Sequence, residues 1–182
     1  MMNDLTQIVK STAIKIGFDH VGIADPSDPL FTEAIARYQD WLRYSASMKY
    51  LEKHLYLKSH PEELLTNLKS IICVAAVYRK PQQYINHTAA KISQYTQSHD
   101  YHDVMMKKLL ELSNNLKTIR GINCYAFVDS QPVLERFWAW RAGIGWIGKN
   151  AMLINRNLGS FFFIAGLLTD ASLQFDIPET DH

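Results

Sequence analysis

The most informative stretch of this chain is SIICVAAVY, residues 70–78, which is apolar at nearly every position. It is too short to span a membrane, because a membrane helix needs about 20 apolar residues. A strand with one face in water alternates polar and apolar residues, whereas a strand covered on both faces is apolar almost throughout. The stretch therefore predicts a buried central strand.

Helical patterns and shorter strands surround this central strand in the sequence. Apolar residues recur at helical spacing in 5–16 and 34–42, and a long amphipathic helix is predicted over 100–120. Apolar runs at 20–24 and 124–128 predict further strands. Because helices and strands alternate for most of the length, the predicted fold class is α/β or α+β, with a mixed sheet flanked by helices.

The predicted sheet is closed near the end of the chain by an antiparallel hairpin. Residues 152–154 and 160–168 are expected to pair across 155–159, where Asn and Gly tolerate positive φ. The 182 residues, 47% of them hydrophobic, are enough to bury one core, and we predict a single domain over 1–182.

Charge and cysteine content limit the possible partners and location. The formal net charge of +1 gives no long-range attraction to nucleic acids or membranes, so any nucleic-acid contact would be local and no membrane partner is expected. Two cysteines, Cys73 and Cys124, are too few for a secreted disulfide scaffold and favour a reducing compartment. We therefore predict a cytoplasmic protein.

Three glycines at 143, 145 and 148 have the spacing of a dinucleotide-binding motif. That motif needs a strand before the glycines and a helix after them, so that the phosphates meet the start of the helix. Here a helix is predicted before them and a strand after them. The context favours a tight helix-to-strand turn, which presents Lys149 and Asn150 just beyond it.

Asp129 is the main candidate for an acid. It follows the predicted strand 124–128, and ligands of open α/β sheets bind at the carboxyl ends of strands. The same residue could simply begin the turn before the next helix. Glu135, Arg136 and several tryptophans follow closely, and a carboxyl group in aromatic surroundings tends to keep its proton, as a general acid must.

A second group of polar residues, His99-Asp100-Tyr101-His102-Asp103, lies at the start of the predicted long helix. Its imidazoles and carboxylates could hold a metal, and a metal hydrolase using His99, His102 and Asp129 is one interpretation. Asp100 alternatively caps the helix. Tyr101 and His102 are better suited to polar contacts in a ligand pocket.

Three stretches, FVDSQPVLER at 127–136, AGIGWIGKN at 142–150 and GSFFF at 159–163, strongly resemble the N-terminal half of the epoxyqueuosine reductase family. PEELL at 61–65 and DYH at 100–102 fit the same family in the same order. The resemblance implies a fold similar to reductive-dehalogenase cobalamin domains and a cobalamin cofactor. It also implies reduction of epoxyqueuosine to queuosine at the anticodon wobble position of tRNA.

The resemblance also implies roles for individual residues. Asp129 matches the proton donor of the family, which would protonate the epoxide oxygen. Polar groups at these positions can bond the amide-rich rim of a corrin. The positions at or near the corrin, or bordering the same site, are Lys58, Ser93, Tyr101, His102, Glu135, Arg136, Lys149, Asn150 and Leu153.

This sequence departs from the family in three places. Lys58 and Gln94 stand where arginine is frequent, which removes a planar hydrogen-bonding fork. The chain ends at His182, where the family continues into the first motif for two four-iron, four-sulfur clusters. We therefore expect an iron–sulfur domain or electron donor from elsewhere. The alternative is a corrinoid-binding module without catalytic turnover.

Overall fold

The computed structural model describes residues 2–44, 52, 54–78, 93–96 and 99–180. The helices are α1 (Met2–Ile16), α2 (Leu30–Tyr44), α3 (Leu55–Ser59), α4 (Tyr101–Arg120) and α5 (Glu135–Arg141). The strands are β1 (His20–Ala24), β2 (Ser70–Val77), β3 (Cys124–Phe127), β4 (Trp146–Ile147), β5 (Leu153–Ile154) and β6 (Phe162–Thr169). Within these ranges no helix is long and apolar enough to cross a bilayer.

The main sheet has the strand order β1-β2-β6-β3, with β2 inside it as its apolar sequence predicts. The fold class, a sheet flanked by helices, is confirmed. The expectation of a mixed sheet is wrong, since all three pairings are antiparallel. Strands β2 and β3 run in the same direction, as two strands joined by a long helix often do, but β6 lies between them and runs the opposite way.

Both faces of β2 are covered, which explains its nearly continuous apolar sequence. Ile72 and Val74 pack into a core with α1 and α4. Ile71 and Cys73 point to the other face and pack into a second core with α5, whose Trp138 is fully buried. The alternation follows from the two-residue period of a strand, so the sheet separates two cores.

The predicted hairpin of 152–154 with 160–168 is not formed as expected. The chain does reverse at Asn155 and Gly159, whose backbones exchange hydrogen bonds of 2.8 and 2.9 Å, but pairing extends no further than this single bridge. Strand β5 pairs with β4 in a small separate sheet, and β6 enters the main sheet. The Asn155 side chain donates to the Ile144 carbonyl and is buried, so it fixes this loop between the two sheets.

The glycine motif forms the helix-to-strand turn that its context predicts. Gly143 follows α5 with φ at +73°, and β4 begins at Trp146. A Cβ atom at Gly145 would lie 2.1 Å from the Ile154 carbonyl oxygen. The glycines thus let β4 approach β5 closely, and they do not precede a helix in the way a dinucleotide site requires.

Gly22→Ala is expected to destabilise the protein because β1 and the end of α5 touch at this glycine. An added Cβ would lie 1.9 Å from the Ala142 carbonyl oxygen, so backbone must move. We expect the free energy of unfolding to fall by about 1–3 kcal/mol, measured by urea denaturation. Gly121→Ala is the control. Gly121 also has a positive φ, +67°, but no atom lies within 4 Å of an added Cβ there, so the free energy of unfolding should fall less. Equal losses would contradict the close approach.

Candidate active site

Asp129 lies on a tight turn at the carboxyl end of β3. Its φ of +45° falls in the left-handed region, which aspartate and asparagine tolerate better than most residues. The Val128 backbone N–H donates to Gln131 Oε1 at 2.7 Å, which fixes the turn from its other side. The Asp129 side chain is 62% exposed, so the turn presents a carboxylate outside the core.

His102 links two carboxylates in a short chain of hydrogen-bonding groups. Its Nδ1 lies 2.8 Å from Asp100 Oδ1, and its Nε2 lies 3.1 Å from Asp129 Oδ2. Only a ring protonated on both nitrogens can donate to both acceptors at once. Burial works against the charged ring, but the hydrogen bonds to Asp100 and Asp129 outweigh it and raise the pKa of His102. The His102 side-chain bond lowers the pKa of Asp100.

Tyr101 gives Asp129 a second hydrogen-bond donor. Its hydroxyl lies 3.1 Å from Asp129 Oδ2, and its ring stacks on Phe163 of β6 with centroids 4.2 Å apart. Burial, and then the Asp129 charge, raise the pKa of Tyr101. The hydroxyl therefore keeps its proton and remains a donor. Asp100 also accepts a hydrogen bond from the His102 backbone N–H, which confirms it as the N-cap of α4.

A cavity of about 820 Å³ opens beside Asp129 between α2 and α5. One wall is a stripe of α2 residues at helical spacing, including Leu30, Ala34, Tyr38 and Trp41. The periodicity of α2 is visible in the sequence, but it does not show that this stripe faces a cavity instead of the core. The acidic and basic residues that line the cavity are Glu33, Arg37, Lys58, Asp129, Glu135 and Arg136.

Two cations of the cavity are held by neighbouring groups. Lys58 Nζ on α3 donates to the Tyr38 hydroxyl at 3.0 Å. Arg136 Nη1 on α5 donates to the Ala151 carbonyl at 2.6 Å. Each cation retains further N–H donors, so both can hydrogen-bond a ligand while they stay anchored.

Glu135 is the buried carboxyl group of the site. It is the first residue of α5, and its Oε1 is buried without a hydrogen-bond partner among the described residues. Burial, and then the nearby Asp129 charge, raise the pKa of Glu135 to about 8. The sequence analysis predicted that Asp129 lies in aromatic surroundings that help it keep its proton. The structure instead exposes Asp129 and buries Glu135.

The structure brings together six of the ten residues predicted for the site. Asp129, Lys58, Glu135 and Arg136 line the cavity, and Tyr101 and His102 bond to Asp129. The other four lie outside the described lining of the cavity. Ser93 and Lys149 are exposed, Asn150 Oδ1 accepts the Met152 N–H at 3.1 Å, and Leu153 is buried in the core beside α5.

The metal-hydrolase interpretation gains no support from the geometry. Across the described ranges, no group of three His, Cys, Asp or Glu side chains is placed to hold a metal ion. His102 directs both ring nitrogens toward carboxylates. The two cysteines are free thiols, and burial raises the pKa of both Cys73 and Cys124, which disfavours the reactive thiolate.

These features define a class of protein: a helix-flanked antiparallel domain with a large ligand cavity and a hydrogen-bonded carboxylate at its edge. Residues 58–130 match the family model described as epoxyqueuosine reductase QueG, DUF1730. The epoxyqueuosine reductase of Cyclobacterium marinum is 41% identical over 95% of this chain and 56% of that protein. The enzyme of Escherichia coli strain K12 is 34% identical over 97% of this chain and 48% of its own length.

Solved structures give the same relationship. An epoxyqueuosine reductase bound to an epoxyqueuosine-modified tRNA-Tyr stem loop is 28% identical, with a TM-score of 0.82 over 98% of this chain and 48% of that one. The Bacillus subtilis enzyme, whose catalytic aspartate loop is swung out of the active site, is 27% identical over 98% of this chain and 48% of its own, with a TM-score of 0.83. The chain is therefore similar to about half of an epoxyqueuosine reductase in both sequence and structure, as its motifs indicate.

A more distant group of proteins has a similar fold. The structure of a reductive dehalogenase, an enzyme of B12-dependent dehalogenation, has a TM-score of 0.65 at 14% identity, over all of this chain and 21% of that one. The predicted likeness to the reductive-dehalogenase fold is therefore confirmed. The chain spans about half the length of the curated epoxyqueuosine reductases that it matches.

Proposed function

We propose that this chain is the cobalamin-binding part of an epoxyqueuosine reductase and carries the proton donor for epoxide reduction in tRNA. The observation that carries the proposal is Asp129, held by Tyr101 and His102 at the edge of the large cavity. A relative with a similar fold has a catalytic aspartate on a loop that can leave its active site. Asp129 on its exposed turn is the candidate for the same role.

The lining of the cavity fits cobalamin. The aliphatic and aromatic wall formed by Leu30, Ala34 and Trp41 suits a flat macrocycle. Lys58 and Arg136 line the cavity and would offer N–H donors to the amide carbonyls at the rim of the macrocycle. Ser93, Lys149, Asn150 and Leu153 remain proposed contacts. When bound, cobalamin supplies the reducing equivalents.

The residues of this chain would supply the proton. Opening an epoxide leaves an alkoxide oxygen, which needs a proton as the C–O bond breaks. In this proposal Asp129 first takes up a proton, donates it to that oxygen and returns to the carboxylate form. Tyr101 and His102 then stabilise the new charge with two hydrogen bonds to Oδ2. Because both donors are already in place, little reorganisation is needed.

The complete reaction requires partners beyond this chain. The substrate is tRNA with a queuosine-type anticodon, consistent with the stem loop bound by a relative. Electrons would come from four-iron, four-sulfur clusters of an iron–sulfur domain or another donor. A single domain over 1–182 and a cytoplasmic location stay predictions, the latter in keeping with two free cysteines.

A second candidate is a module that binds a corrinoid without turnover. It is favoured by one observation: the cavity lining includes the anchored cations Lys58 and Arg136, which could hold a ligand without any proton transfer. Cobalamin binding with no epoxide reduction, when the chain is supplied with an iron–sulfur domain and reductant, would support this candidate over the first.

Cobalamin binding tests both candidates. The chain titrated with cob(II)alamin should show a change in visible absorbance with a Kd near micromolar, worth about 8 kcal/mol. Ala34→Trp fills the cavity from α2 and should weaken binding at least about tenfold, or 1.4 kcal/mol. Ala36→Trp makes the same change on the exposed face of the same helix and should not. An equal effect of both variants would contradict the assignment of the cavity.

A further inference from the structure

Two side chains of α4 hold Asp129 at the edge of the cavity. The Tyr101 hydroxyl and His102 Nε2 each lie 3.1 Å from Asp129 Oδ2. The turn benefits from such an anchor, because a left-handed φ of +45° costs energy in a residue with a Cβ atom and the side chain is 62% exposed. A related enzyme has its catalytic aspartate loop swung out of the active site, so the fold alone does not fix such a loop.

Asp100 determines how His102 can contact Asp129. Asp100 Oδ1 accepts two hydrogen bonds from His102, one from the backbone N–H at 2.9 Å and one from ring Nδ1 at 2.8 Å. The backbone bond caps α4 and fixes this oxygen in place. A carboxylate can only accept hydrogen bonds, so the short contact holds a proton on Nδ1. Nε2 can then donate to Asp129 only when the ring carries a second proton and is a cation.

We propose that Asp100 is a positioning residue that acts through His102: it stabilises the imidazolium form and so keeps the Asp129 turn at the cavity. This inference rests on the proposed function, in which Asp129 must reach the epoxide oxygen. When the ring loses its Nε2 proton, a nitrogen lone pair faces the Asp129 carboxylate across 3.1 Å. Two acceptors repel each other at this distance, so the turn should then leave the cavity more often.

The titratable groups that face His102 come from α4, α5 and the turn after β3. Burial disfavours the imidazolium, but the hydrogen bonds and charges of Asp100 and Asp129 outweigh it and raise the pKa of His102 above its ordinary 6.5. The Tyr101 ring lies beside the imidazole, with centroids 3.9 Å apart. Glu135 on α5 also senses the His102 charge. Asp100 takes no part in proton donation, so its charge can be removed without changing the proposed donor.

Asp100→Asn removes this charge with little change in shape. Asparagine caps helices about as well as aspartate, and the cap bond keeps its amide oxygen toward Nδ1 of His102. NMR of the ring nitrogens in the ¹⁵N-labelled chain, with His102→Gln to assign the resonance, should give a titration midpoint above 6.5 in the parent chain. The midpoint should fall in Asp100→Asn. Asp103→Asn, which removes an exposed carboxylate from the same turn of α4, is the matched control and should shift the midpoint much less.

The position of the turn is measured separately from the charge of the ring. Relaxation dispersion of the Asp129 and Ser130 backbone amides detects exchange between positions on the μs–ms timescale. This exchange should increase as the pH rises through the His102 midpoint, and in Asp100→Asn the increase should begin at lower pH. A role of Asp100 limited to capping α4 would not move the pH at which exchange begins. Neither measurement requires cobalamin or tRNA.

The outcomes separate this inference from the proposed function. The rate of epoxide reduction should fall as the pH rises through the His102 midpoint, and Asp100→Asn should shift this fall to lower pH. A midpoint or a pH–rate profile that Asp100→Asn leaves unchanged would overturn the inference even if cobalamin binds, as would turn exchange that does not follow the His102 titration. If midpoint and exchange both shift in a chain that does not bind cobalamin, the coupling of Asp100 to Asp129 stands and only the proposed function fails.

Discussion

Asp129→Asn should lower the rate of epoxyqueuosine reduction by about 10²–10⁴-fold, the usual contribution of a general acid. Asparagine has nearly the same shape and tolerates the left-handed φ of +45° at this turn, so the backbone should stay in place. Its amide cannot give a proton to an alkoxide. The rate is measured with the chain supplied with an iron–sulfur domain, reductant and epoxyqueuosine-containing tRNA.

The control for this prediction separates chemistry from binding. Cobalamin affinity should remain nearly unchanged in Asp129→Asn, because the cavity is lined mainly by α2 and α5. Asp103→Asn removes an exposed carboxylate on α4 and should leave both rate and affinity unchanged. If the Asp129→Asn variant reduced epoxyqueuosine as fast as the parent chain does, Asp129 would not be the proton donor.

Asp28→Asn should lower the free energy of unfolding by about 3 kcal/mol. Asp28 is 8% exposed, and its Oδ2 accepts from Arg141 Nε at 2.5 Å, so one ion pair joins the start of α2 to the end of α5. Asparagine can keep the bond that Asp28 Oδ1 accepts from the Leu30 N–H at 2.9 Å. The loss therefore comes from Arg141, a cation only 19% exposed that would lose its counter-charge.

Glu33→Gln is the matched control, made one turn further along α2. It breaks the pair of Glu33 with Arg37, whose side chains are 57% and 78% exposed, so water already screens both charges. Such pairs contribute about 0.3–0.5 kcal/mol. Urea denaturation at neutral pH measures both variants. Similar losses in Asp28→Asn and Glu33→Gln would show that burial does not strengthen the Arg141 pair.

Much of the fold could be read from local sequence because local chemistry sets it. The apolar run of β2 needs cover on both faces, and helices α1 and α4 supply one of these layers. Asp100 and Gly121 mark the two ends of α4 through a side-chain cap and a left-handed residue. These signals lie within a few residues of the structure they specify, so no distant contact is required to interpret them.

The errors concern pairing between distant segments. The position of β6 between β2 and β3 made the sheet antiparallel, and β5 paired with β4 instead of β6. Strand pairing depends on which sheet edges are free once the chain has collapsed, and this cannot be predicted from the sequence of one strand alone. The order of strands therefore had to come from the structure.

The sequence determined by itself which residues are chemically competent, including Asp129, Tyr101 and His102, because their types and motifs persist in any fold. Tertiary structure alone determined their environments. It aligned Asp100, His102 and Asp129 into one chain of contacts and turned one face of α2 toward a cavity. It also exposed Asp129 and buried Glu135, because burial and charge proximity depend on segments that meet only after folding.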